Sequence, residues 1–228
     1  MKKSKTTIYL FKLLIIYGFL FLGGLWNITG SYEFWMELLS GYVLITISLW
    51  AIYEHLKNKS QQPIRRYLIY FLFVIILTFL VEYIGVKTGY PFGEYSYTEK
   101  LKPLLFGVPL SIGFAWLASM LASFGIISSI EGLKNSSVIF KSVLTGLLMM
   151  IFDIALEPAA ITQRFWYWEA SSVPLINYLS WFVIGSIISF YGYRKKILWK
   201  DASPLLKHIY FAQIIFFLMS GIIANIFE

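Results

Sequence analysis

Asp153 and Glu157 lie four residues apart in GLLMMIFDIALEPAAI (146–161), a stretch whose other residues suit a lipid-facing helix. On a helix that spacing puts both carboxyls on one face. Like charges so placed repel, and loss of water disfavours each charged form, so the pair is expected to share a proton rather than carry two charges. An acid and a base would then stand side by side. A third acid, Glu82, occupies the end of an earlier apolar run. An acid costs up to about 2.5–3.5 kcal/mol at the centre of a spanning helix and less near its ends, so all three need compensation or a purpose. The plainer account is that they reach the membrane interface and bond to loop amides.

The surroundings of the acids favour chemistry. Glu82 precedes Tyr95 by 13 residues and Tyr97 by 15, the same distances by which Asp153 precedes Trp166 and Trp168. GVPLSIGFAW (107–116) and SVPLINYLSW (172–181) then share Val-Pro-Leu followed by Trp at equal spacing. The chain thus reads as two copies of one unit, with an acid at a helix end, an aromatic-x-aromatic loop, and a Pro-bearing helix carrying Trp116 or Trp181. Ring faces stabilise positive charge without capturing it, so an aromatic wall beside a proton donor suits a reaction that passes through a carbocation. Asn177 and Trp181 share a helix face, where an amide can orient a water or bond to a neighbouring helix. Pro109 and Pro174 also fit ordinary helix starts, and the Trp and Tyr residues fit interface anchors.

The elements that must position these groups follow from composition. With 58% apolar residues, 19% aromatics and a mean hydropathy of +0.71, the chain reads as all-α, a polytopic integral membrane helical bundle in one domain over 1–228. Seven apolar runs are long enough to cross about 30 Å of hydrocarbon: 8–26, 32–53, 67–86, 104–130, 138–158, 173–193 and 205–227. The first follows Lys2, Lys3 and Lys5 without a small-x-small cleavage site, and reads as an uncleaved span. With the N-terminus inside, fifteen Lys and Arg fall on the inner side against four outside, which predicts a cytoplasmic N-terminus and an outward C-terminus in a cell membrane. The acids lean the other way. Only Glu54, Glu131 and Asp201 fall inside, whereas the outer set runs from Glu33 to Glu228. The net charge of +7 therefore reads as a topology signal, with no nucleic-acid partner expected.

VEYIGVKTGYPFGEYSY (81–97), GVPLSIGFAW, DIALEPAAITQRFWYW (153–168) and VPLINYLSW (173–181) resemble, in order and spacing, the signature blocks of the membrane carotenoid biosynthesis protein family, which includes carotenoid 1,2-hydratases. The likeness covers roughly residues 67 to 193. Glu157-Pro158 stands where the family pattern has Asp-Pro, and Ser172-Val173-Pro174 where it has Gly-Val-Pro. The resemblance implies cofactor-free addition of water to the terminal isoprenoid double bond of an acyclic carotenoid drawn from the lipid bilayer. Asp153 would be the proton donor and Glu157 or Glu82 the base, roles that the sequence leaves exchangeable. Tyr95, Tyr97, Trp166 and Trp168 would flank the cation, with Asn177, Trp181, Glu94 and Trp116 completing the substrate-binding set. Other enzymes of the same pathway are expected partners.

Two alternatives remain from other classes: a membrane carotene or terpene cyclase that excludes water from the same cation, and a proton-coupled small-molecule transporter. Prenyl transfer is disfavoured because no pair of Asp-rich, Mg²⁺-binding motifs is present. Retinal binding lacks a mid-span lysine in the last run, and the absence of cysteine removes thiol chemistry. His55 and His208 belong to the inner side, away from the acids, so no metal site is expected.

Overall fold

A computed structural model describes residues 2–57, 63–199 and 202–223 of the chain. Seven helices of these residues are long and apolar enough to cross a membrane. They are α1 (Lys2–Thr29), α2 (Glu33–Leu56), α3 (Ile64–Thr88), α4 (Leu110–Ser129), α5 (Val138–Thr162), α6 (Leu175–Arg194) and α7 (Pro204–Leu218), the last reaching spanning length with the helical turn that carries it on to Gly221. Four short strands join them: β1 (Tyr95–Tyr97), β2 (Leu104–Leu105), β3 (Val108–Pro109) and β4 (Trp166–Trp168).

α4 is the buried centre, packed against α2, α3, α5 and α7. Its small residues explain why. A Cβ on Gly113 would fall 2.5 Å from the Ile75 carbonyl oxygen, and one on Gly125 would meet the backbone of α7 at Lys207. Lipid is as apolar as leucine, so helices associate in it through such close backbone approach rather than through apolar burial. α5 and α6 make the most extensive helix contact, with Gly146 and Gly185 facing each other. α1 stands at the periphery, lying along α7 and barely touching α2.

The basic loops gather at one end. There Glu54, fully buried, accepts from Lys12 and Lys57 and from the Ser203 hydroxyl at 2.5 Å, tying α1, α2 and the start of α7 together. Arg66 donates to the Lys195 carbonyl at 2.9 Å across the same surface. Lys59, Lys200, Asp201 and Glu228 lie outside the described residues, as do the side chains of Lys2 and Lys3.

At the other end, the two aromatic loops are not independent. β1 and β4 pair antiparallel, with Tyr95 opposite Trp168 and Tyr97 opposite Trp166. Helix ends also differ from the sequence expectation. The fourth span begins at Leu110, not 104, because Phe106 and Gly107 adopt positive φ and turn Leu104–Pro109 into a β2–β3 hairpin. The fifth runs to Thr162 rather than stopping at Pro158. The missing N–H of Pro158 removes one helical bond close to the helix end, and the backbone of Gly221 packs against that turn. The seventh is α-helical to Leu218 and continues as a wider turn, Met219–Ile223.

Gly146 offers a direct test of the packing. A side chain there would collide with Ser186 and the Phe182 carbonyl, whereas Gly18 faces open space. Gly146→Leu should destabilise the detergent-solubilised protein by about 1–3 kcal/mol, seen as a lower Tm. Gly18→Leu should stay within about 0.5 kcal/mol of the parent.

Candidate active site

The end of α5 sets the geometry. Arg164 takes a left-handed conformation (φ 56°), and the Phe165 N–H closes back on the Ala160 carbonyl at 2.9 Å, so the chain reverses directly into β4. Gly89 (φ 73°) plays the corresponding part after α3, its N–H bonding the Gly85 carbonyl at 2.7 Å. Alternate residues of a strand point to one face. Tyr95 and Tyr97 of β1 therefore turn inward with Trp166 and Trp168 of β4, while Ser96 and Tyr167 face out and are exposed.

Each inward ring carries a donor, and each donor finds a carboxylate. Glu82 accepts from the Tyr95 hydroxyl at 2.5 Å and the Tyr97 hydroxyl at 2.8 Å on Oε2, and from the Trp116 indole N–H at 2.9 Å on Oε1. Glu157 Oε2 accepts from the indoles of Trp166 and Trp168 at 3.1 and 3.0 Å. The Asn177 amide nitrogen lies 2.7 Å from Asp153 Oδ2 and 3.3 Å from Glu157 Oε1, bridging the pair. Asp153 Oδ1 is buried and has no partner among the described residues. Burial first, and the nearby Glu82 second, push the Tyr95 and Tyr97 phenols well above the ordinary tyrosine range, so both stay neutral donors.

The three carboxyls line one cavity of about 40 Å³, room for a water or two. Trp116 and Trp181 stack directly on each other in its wall, with centroids 3.6 Å apart and planes 10° apart, and Trp168 lies 5.1 Å from Tyr95. Ten of the eleven residues singled out from the sequence thus come together, with Tyr97 joined through Glu82. Glu94 does not. Its side chain is exposed beyond the ribbon, and its backbone carbonyl receives the Glu169 N–H at 3.0 Å, so it lies apart from the other ten. Phe92, which sequence reasoning passed over, is buried in the wall 6.4 Å from Trp116. Its position between Pro91 and Gly93 reads as a loop, and nothing local marks it as inward-facing.

The spacing of 13 residues equates Glu82 with Asp153, but the hydrogen bonds equate Glu82 with Glu157. Both of these accept from the two rings of their own strand. Asp153 is the additional acid, one turn deeper in α5.

The family profile described as "Carotenoid biosynthesis protein" matches residues 31–227. The chain is 31% identical over 111 residues to the bisanhydrobacterioruberin hydratase of Haloarcula japonica, an alignment covering 47% of this chain and 38% of that protein. The chain therefore matches less than two fifths of that relative's length. No solved structure matches the chain.

A hydrogen bond to a charged group contributes about 1.5–3 kcal/mol. Tyr97→Phe, which removes one donor from Glu82, should therefore destabilise the protein by about that amount in thermal unfolding. Tyr167→Phe, on the exposed face of the same ribbon, should leave Tm unchanged.

Proposed function

The chain belongs to the carotenoid biosynthesis protein family, and on that premise we propose that it hydrates the terminal isoprenoid double bond of an acyclic carotenoid. One observation carries the reading: among three carboxyls on one ring-walled cavity, two are saturated with donors and the third, Asp153, keeps an oxygen with no partner among the described residues. Three donors on one carboxyl suit an ionised acceptor, which has no proton of its own to place. An unpaired buried oxygen suits a protonated carboxyl whose O–H has yet to meet its acceptor, here the alkene π bond.

The steps balance on these residues. Asp153 gives its proton to the CH carbon of the terminal trisubstituted alkene, leaving a tertiary cation on the dimethyl-bearing carbon. The rings that border the cavity, Trp168 and Tyr95 with the indole pair of Trp116 and Trp181 behind the acids, stabilise that cation from the wall, and the Glu82 carboxylate adds electrostatic stabilisation without forming a bond. Water in the cavity forms the new C–O bond and passes a proton to Glu157. Asn177, bonded to both acids, keeps them close enough for that proton to return to Asp153. The net change is alkene plus water to tertiary alcohol, with no redox step. The name of the archaeal relative supports a hydratase. The charge asymmetry supports a cytoplasmic N-terminus, which puts the pocket in the outer half of the bilayer.

Expression in lycopene-producing cells tests the proposal. Pigments should gain the mass of one water per modified end, and ¹⁸O-labelled water should label the new hydroxyl. Asp153→Asn should reduce the yield at least about a hundredfold, the scale of a lost general acid. Unchanged pigment mass with the protein inserted in the membrane would rule out hydration, and a cyclised product without added oxygen would assign the same cation to a cyclase.

A further inference from the structure

The carboxyl cavity borders a larger one. Ile112, Ala115, Leu156 and Trp166 line both, so the two spaces share a wall. The second, of about 180 Å³, is a seam between α1 and α2. Leu20 and Gly23 form one bank, Leu39, Val43 and Leu44 the other, and Phe216 closes the back. Among the described residues no charged side chain lines it, and the α1–α2 gap exists because α1 packs on α7 instead. Phe19, Trp35 and Leu39 are about half exposed, so the seam faces lipid. Along α2 its lining runs from Trp35 to Ile47, which at 1.5 Å per residue is about 18 Å of groove.

We propose that this seam is the binding channel for a linear polyene, which lies in it from the lipid with its terminal double bond at Asp153. The proposal rests on the hydration reading above for its choice of occupant. A linear polyene fits what the seam offers: length without breadth, aromatic and aliphatic walls, no counter-charge, and a wall shared with the acid cavity at one end. One bank comes from α1, a stretch that precedes the family match, so chain selectivity is set partly by residues outside the shared blocks. One end of a long substrate is processed at a time, the rest remaining in the seam and the bilayer.

The test is pigment retention by protein purified in detergent from lycopene-producing cells. Leu44→Phe, which narrows the seam, should cut the lycopene-to-protein ratio by about fivefold or more. Asp153→Asn should keep the pigment while losing hydration, and Ile187→Phe, on the lipid-facing side of α6, should keep the parent ratio. An unchanged ratio in Leu44→Phe, an equal loss in Ile187→Phe, or an acyl lipid retained in place of lycopene would overturn the channel. Should Leu44→Phe fail to insert, the chain's lack of cysteine provides a second route. A single Leu39→Cys should be alkylated by a lipid-soluble maleimide about fivefold more slowly with saturating lycopene, and equal rates would overturn the proposal. If lycopene is retained in this pattern but never hydrated, the channel stands and the hydration reading falls.

Discussion

A carboxyl group carried to hydrocarbon depth must find hydrogen-bond donors inside the protein, because the membrane supplies none. Much of the site end of this bundle follows from that constraint. Glu82 and Glu157 each require several N–H or O–H groups at one point, and the donors must be compatible with an apolar interior. Phenol and indole meet both needs, with a polar tip on a large apolar body. The ribbon of β1 and β4 brings four such rings to two acids at once. The same rings then wall the cavity, so the groups that hold the carboxylates in place also shape the space the acids face.

The two halves meet in a way that fits their sequence likeness. Equivalent strands pair antiparallel about Ser96 and Tyr167, and the equivalent Trp116 and Trp181 lie face to face. Both relations are what a local two-fold axis through the ribbon produces. The symmetry is broken at α5, which carries two acids where α3 carries one, and at α6, which presents the amide of Asn177 to both. The asymmetry separates two donor-saturated carboxylates from one carboxyl with a free oxygen, a division that a symmetric pair of acids would not make.

The spans were legible in the sequence, because apolar runs of membrane length admit few other structures. The convergence of Glu82, Asp153 and Glu157 was legible too, from acids placed at corresponding helix ends ahead of matching aromatic loops. Which acid takes which donors was not. Counting residues pairs Trp166 with Asp153, but the left-handed turn at Arg164 reverses the chain so tightly that the indole meets Glu157 instead. Glu94 misled for a related reason. It lies next to Tyr95 in sequence, but alternation along a strand turns neighbours to opposite faces. The hairpin ahead of α4 and the seam between α1 and α2 depend on a positive-φ turn and on helix packing, and periodicity reports neither.

The register of the ribbon is held by main-chain bonds, continued by Thr98 to Phe165 and Glu169 to Glu94 at 3.0 Å each. Side chains on a strand obey parity, so a one-residue slip of β1 against β4 would turn Tyr95 and Tyr97 outward and bring Ser96 inward. Pairing register at this point is therefore under tighter constraint than residue identity on the outer face. Divergent chains of this architecture can vary at positions 96 and 167 but must conserve odd from even.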